Sequence, residues 1–274
     1  LIPFTPDEQT GLERLNYYCE EGLPKQYKYT RNKSLGVDNS TKFSIFLAHG
    51  SLSPRRIYHA IEAFEDEHGS SKSTYWVKFE LTWRDFYRYQ AMKHGPALYA
   101  QGGIQAQSIP WQHDSTMIQR FEDGQTGYPF VDAAMRELQR TGYMSNRARQ
   151  NAASFFANNL HQDWRIGAAI FEKYLVDYDP ASNYGNWQYA IGIGNDSRSQ
   201  KYFNITKQAK KYDAAEYIKT WVEELQGLQD KHVYEPWTMT EGEQAMYDFQ
   251  YGEDYPERVV DFRATINQTK QWFD

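Results

Sequence analysis

Apolar side chains recur with a helical period along most of this chain. In residues 129–142, Val131, Ala134, Met135 and Leu138 fall at i, i+3, i+4 and i+7, which predicts an amphipathic helix. Pro129 suits its first turn, where the missing N–H has no partner to lose, and Gly142 stops it. Ser145 caps a second helix to about Leu160, and Asp163 a third to about Val176. Upstream, Asp7 or Thr5 opens a helix in residues 6–22, with Leu12 and Leu15 on one side. Residues 23–39 read as polar turns marked by Gly36 and Asn39. A helix from about Thr41 ends at Gly50, and Ser53–Pro54 starts another carrying Ile57, Ile61 and Phe64. A long helix then runs to Gly95–Pro96, with Trp76, Phe79 and Phe86 read as an aromatic core stripe. Residues 97–126 read as a loop-rich link with a short helix around Ser115 to Glu122. Residues 199–226 read as one amphipathic helix bearing Tyr212, Ala215, Tyr217, Ile218, Trp221 and Leu225. The division expected is a helical start over 1–38, a helical core over 39–228, and a peripheral tail over 229–274 that packs on or extends from the core.

Composition changes this picture in three ways. A formal charge of −6 over 274 residues weighs against a general nucleic-acid binder, while leaving room for a local basic patch. Arg147, Arg198, Lys201, Lys207, Lys210 and Lys211 are the candidates, with a solvated helix face as the alternative for the lysine run. The single cysteine, Cys19, excludes an internal disulfide and suits a reducing compartment. No run of eighteen apolar residues predicts a membrane span, so a soluble chain is expected. Residue 1 is Leu, and no leader pattern follows it. No His/Cys cluster has metal spacing, and His49 and His161 read as structural.

Polar residues concentrate where a core would be expected. Asp177, Asp179, Asn183, Asn186 and Asn195 crowd a segment rich in glycine and aromatics, and such density must be hydrogen-bonded to something. Asn146 and Arg149 share a helix face at i, i+3. A guanidinium there, with the carboxylates of Asp177 and Asp179, can grip a planar heteroaromatic ring; a buried polar network is the alternative. Ser40, Thr41 and Ser44 put hydroxyls at a helix start beside Lys42, where a diphosphate would be well held or the helix merely capped. Glu80, Trp83 and Arg84 place a carboxylate, an indole and a guanidinium on one helix face.

The strings TGYPFVDAAMREL, TGYMSNRARQN, DWR, DYDPASNYGNW and GIGND resemble the flavin-binding half of the photolyase/cryptochrome family, above all its DASH branch. The likeness runs over roughly residues 5–240. It implies an all-α, FAD-binding helical domain. By this resemblance Tyr27, Ser40, Thr41, Lys42, Phe43, Ser44, Glu80, Arg84, Asn146, Arg149, Asp177, Asp179 and Asn183 hold FAD. Ile45 stands where the family commonly has proline. Glu80, Trp83, Asn183 and Tyr189 are the implied catalytic set, and Trp83, Tyr189 and Arg147 the implied DNA contacts. The implied activity is light-driven electron transfer from reduced FAD to cyclobutane pyrimidine dimers in single-stranded or loosened DNA. The alternative is a photoreceptor or interaction subunit that keeps the fold without the chemistry. Trp187 and Trp164 match two stations of the family's electron relay, and Phe121 is assigned to the third, which predicts slow photoreduction rescued by Phe121→Trp; the alternative is that another surface aromatic takes over. The antenna domain of full-length relatives is not expected in this chain. The face it would cover is expected to be polar or to take a protein partner or a second copy.

Overall fold

The computed structural model describes residues 3–196 and 202–272. Its helices are α1 (Glu8–Glu20), α2 (Tyr27–Thr30), α3 (Phe43–His49), α4 (Pro54–His68), α5 (Lys72–His94), α6 (Ser115–Glu122) and α7 (Pro129–Thr141). They continue as α8 (Asn146–Asn158), α9 (Trp164–Tyr174), α10 (Pro180–Ile191), α11 (Ile205–Lys211) and α12 (Ala215–Trp221). The last are α13 (Asp230–Tyr234), α14 (Glu241–Met246) and α15 (Phe262–Lys270). Among the described residues the only β structure is two isolated bridges, so the fold is all-α as expected. No helix there is long and apolar enough to cross a membrane.

Most helix ends follow the capping chemistry. Asp7, Ser145 and Asp163 accept from the first-turn amides of Thr10, Ala148 and Arg165, and Gly142 closes α7 in the left-handed conformation. One helix is not read from the sequence, and two expectations fail. Residues 180–191 form a full helix, α10, opened by Asp179 accepting from the Ser182 amide at 2.8 Å. Asn183, Gly185 and Asn186 are weak helix formers, so local propensity hides it. Packing against α5, α8 and α9 overrides that propensity. Gly185 lets Tyr87 close on α10, for a Cβ there would lie 2.3 Å from Tyr87 Cδ1. First, α11 and α12 replace one amphipathic helix, because Asp213 turns left-handed between them at φ 50°. Second, α2 and a 3₁₀ turn at Leu23–Lys25 occupy the segment read as polar turns.

The apolar side chains form two clusters. Leu15, Tyr18, Phe46, Ile57, Ile61 and Val77 join α1, α3, α4 and the start of α5. A larger cluster joins α7 to α10 with the C-terminal segment, which contributes Val233, Met239, Phe249, Tyr255 and Ile266. Tyr255 donates to the wholly buried carboxylate of Asp132, which also accepts from Thr126 Oγ1 at 2.6 Å and from the Gly127 amide at 3.0 Å. Residues 229–272 therefore share the core rather than lying at its edge. His161 supports the same docking, its Nε2 3.0 Å from Thr269 Oγ1 on α15.

Candidate functional site

A cavity of about 300 Å³ opens where α2, α3, α5, α8 and α10 converge. Lys42 precedes α3 in the left-handed conformation at φ 61°, and this turn directs its stem inward. Only 9% of Lys42 is exposed, and its ammonium lies 3.4 Å from Tyr143 Oη and 4.4 Å from that ring's centroid. Among the described residues it has no carboxylate partner within ion-pair distance. Ser40, Thr41 and Ser44 line the wall beside it, and Ser40 Oγ is buried without a hydrogen-bond partner.

Across the cavity, Arg149 extends from α8 and donates to Asp177 Oδ2 at 2.9 Å and to the Met144 carbonyl at 2.9 Å. Burial works against the Arg149 charge, yet the Asp177 carboxylate outweighs it and holds the guanidinium pKa above its usual range. Asp177 Oδ1 is buried and lacks a donor. An acceptor left so costs about 1–3 kcal/mol, which a ligand N–H or hydroxyl would relieve. Asn183 lines the cavity, and its Nδ2 donates to the Ala168 carbonyl at 3.0 Å, which fixes the side chain. Asp179 also lines the cavity, but its oxygens cap α10 and meet Arg88 at 3.3 Å. Burial raises its pKa; the Ser182 hydrogen bonds and Arg88 reverse this and hold it below the carboxylate range.

These groups fit FAD. A buried cation without an ion-pair partner, hydroxyls beside it and an unfilled carboxylate acceptor are what a diphosphate and a polar ring edge require. The family described as the FAD binding domain of DNA photolyase matches residues 76–274. The chain belongs to the photolyase/cryptochrome family. FAD is the cofactor of this domain. A cryptochrome DASH of Natronomonas pharaonis is 50% identical over 96% of this chain and 56% of its own length. The solved Synechocystis cryptochrome superposes with a TM-score of 0.96 at 46% identity, over 99% of this chain and 56% of that one. A class III photolyase from Agrobacterium tumefaciens superposes with a TM-score of 0.92 at 30% identity, with the same coverage. The chain thus spans about half the length of the relatives it matches.

The cavity brings together Tyr27, Ser40, Thr41, Lys42, Phe43, Ser44, Glu80, Arg84, Asn146, Arg149, Asp177, Asp179, Asn183 and Trp187 of the sequence-predicted set. Glu80 is engaged by Arg31, whose guanidinium stacks on Trp76 at 4.3 Å. Arg31 is a cavity residue the sequence reading missed; it caps the C-terminal end of α2, and its position four residues after Tyr27 was the available signal. Trp83 and Tyr189 stand outside the cavity lining and face each other at 6.3 Å. Buried Tyr87 links them to the cavity, for it packs on Trp83 and donates to Asn186 at 3.1 Å. Trp76, Phe79 and Phe86 are half-buried rather than core, so α5 carries an accessible aromatic flank. Arg147 lies over the Tyr212 ring at 4.5 Å and donates to Asn32 at 2.8 Å. In the expected basic patch, Lys211 flanks the same ring and Lys210 pairs with Glu235, while Arg198 and Lys201 lie outside the described residues.

The assignment of Phe121 to the relay is corrected. Its ring is wholly buried against Phe156 at 4.7 Å, so it cannot be a surface terminus. The half-buried indole of Trp111 donates to the Gln101 carbonyl at 3.4 Å, and Trp164 donates to the same oxygen at 2.9 Å. The two indoles thus meet at one carbonyl oxygen. A Trp at position 121 would overpack the core, at a cost of about 1–3 kcal/mol.

Proposed function

We propose that this chain is the flavin-bearing module of a DASH-type photolyase, acting on cyclobutane pyrimidine dimers in single-stranded or loosened DNA. The aromatic flank of α5 carries this reading. Tyr75, Phe79 and Trp83 follow one another at 5.5 and 6.1 Å, and Trp83 meets Tyr189 one side chain from the cavity wall. Accessible rings in series stack unpaired bases with little regard to sequence, and a damaged pair is already poorly stacked.

When bound, reduced FAD supplies the photoexcited electron that opens the dimer. The protein's part is to hold and to exclude water. Lys42, Ser40, Thr41 and Ser44 would grip the diphosphate, while Arg149 and Asp177 would bracket the polar ring edge and Asn183 present an acceptor to it. Trp83 and Tyr189 would grip the extruded base, with Glu80 offering the polar contact. Lys33 and Arg147 supply local positive charge on an otherwise acidic protein. Trp187, Trp164 and Trp111 would carry electrons from the surface to flavin that has become oxidised.

A second reading, a photoreceptor or interaction subunit without repair chemistry, draws on one observation: Glu80 is already engaged by Arg31. The test is blue-light repair of a dimer-containing oligothymidylate by the FAD-loaded, chemically reduced protein. Repair lost in Trp83→Ala with FAD absorbance intact supports the first reading. A yellow, photoreducible protein that leaves dimers untouched establishes the second.

A further inference from the structure

Where α9 and α10 meet the 3₁₀ turn at Gly95–Tyr99 that follows α5, tyrosines gather round one carboxylate. The buried Trp164 indole meets the Tyr184 ring edge-on, with centroids 5.9 Å apart and an interplanar angle of 76°. Tyr184 in turn meets Tyr99 at 4.8 Å, and Tyr99 is 44% exposed. Tyr184 Oη donates to Glu172 Oε2 at 3.4 Å, and Tyr178 approaches the same carboxylate. Aromatic rings thus lead from the interior to solvent with every centroid step below 6 Å, and a base stands at the middle ring.

Such a line suits the outward movement of an oxidising equivalent. A phenol that keeps its proton is harder to oxidise than an indole, whereas a phenol that loses its proton in the same step is easier. An indole radical cation therefore oxidises a tyrosine only where something takes the phenolic proton. Burial and the Glu172 carboxylate hold the Tyr184 phenol above its ordinary pKa, so that proton is in place at neutral pH. Trp111 offers no such acceptor; its hydrogen bond goes to a backbone carbonyl.

We infer that Tyr184 and Tyr99, with Glu172 as proton acceptor, form a second exit that drains an oxidising equivalent from Trp164 to the surface. The oxidant is any one-electron acceptor that oxidises the indoles, a light-excited oxidised flavin or a diffusible radical. One electron passes from Tyr184 to the Trp164 radical cation while the phenolic proton passes to the Glu172 carboxylate. The products are neutral Trp164, a neutral tyrosyl radical at position 184 and a protonated Glu172. Tyr99 then gives an electron and a proton to Tyr184, and the radical reaches solvent, where a thiol reduces it. The inference rests on ring geometry and the carboxylate, and not on the repair reading.

Pulse radiolysis with azidyl radical, which oxidises tryptophan in preference to tyrosine, tests the exit without flavin; a laser flash on FAD-loaded protein repeats it with the bound oxidant. In the wild type the indolyl band should decay as the tyrosyl band grows. Tyr184→Phe and Glu172→Gln should each slow that growth roughly tenfold, and Glu172→Asp should recover part of it. Tyr99→Phe should leave the radical at Tyr184 and slow its reduction by added thiol. Tyr29→Phe, at a 77% exposed ring on α2, should change nothing. Glu172 and Tyr99 are exposed, so their variants carry the test even if Tyr184→Phe fails to fold. Tyrosyl growth unchanged in Glu172→Gln and Tyr99→Phe overturns the inference. A protein that takes up no FAD leaves the radiolysis arm intact and counts against the cofactor reading alone.

Discussion

Replacing Lys42 by Met should move ligand affinity and ligand-free stability in opposite directions. The ammonium is 9% exposed, lies against Tyr143 and has no carboxylate partner among the described residues. Burying a cation without an ion pair costs several kcal/mol, offset here by a cation–π contact of about 2 kcal/mol at most and by longer-range attraction to the Glu137 carboxylate. Met keeps the apolar stem and the same backbone at φ 61°, so the substitution removes the charge and little else. Ligand-free Lys42→Met should therefore be more stable than wild type by about 1–2 kcal/mol, the excess of the desolvation cost over the lost ring contact. A charge-assisted contact to phosphate is worth about 1.5–3 kcal/mol, so FAD should bind the variant roughly 10- to 150-fold more weakly. With FAD in excess the wild type regains stability through linkage, and the order of the two proteins should invert. Urea denaturation of stripped and loaded protein measures both halves, and flavin fluorescence quenching gives the affinities. An unchanged FAD affinity would refute the diphosphate assignment. A destabilised stripped variant would refute the claim that the cation's burial is incompletely offset.

Asp177→Ala strands the Arg149 guanidinium and Arg149→Ala strands the carboxylate, so either should cost about 3–5 kcal/mol and the double variant less than the sum; a double-mutant cycle read by denaturation and FAD uptake checks this, with no FAD uptake expected in the double variant. Tyr255→Phe removes a donor from buried Asp132 and should lower stability by about 1–3 kcal/mol in urea titrations, whereas a merely surface-lying C-terminal segment would show no change. Burial pushes Glu137 up to about 7 against the hydrogen bond from Tyr217 Oη. The folded state then holds a proton that the unfolded chain has already released, so stability should fall as pH rises from about 4.5 to 7 and level off above. Glu137→Gln, which can still accept from Tyr217, should flatten that slope in denaturation curves across this range.

What could be read along the chain was whatever local chemistry dictates. Pro129 and Gly142, Ser145, Asp163 and Ser53–Pro54 mark helix ends through groups that act within one turn, and the structure keeps these ends to within about two residues. The cavity was legible for the same reason: Asn146 and Arg149 share a face through helix spacing alone, and Lys42 and its hydroxyls sit on adjacent residues. What stayed hidden depends on contacts between distant segments. The helix α10 forms because Gly185 admits Tyr87 from α5, which no property of the residues around Gly185 reveals. Tyr255 joins the core through Asp132, 123 positions earlier in the chain. The Phe121 error has the same origin. Ten residues separate it from Trp111, both are aromatic, and both precede the glycine-containing turn before α7. Only the meeting of residues 101, 111 and 164 at one carbonyl oxygen shows which ring neighbours the buried indole. An electron path is a property of through-space neighbours, and here the loop at Gln101 decides the neighbours. That same loop, through Tyr99 two residues before it, places the phenol that opens toward solvent. Exchanging Gln101 for a residue of equal size should leave both routes in place, because the shared acceptor is its backbone oxygen. Changing the length of the loop should disturb them together.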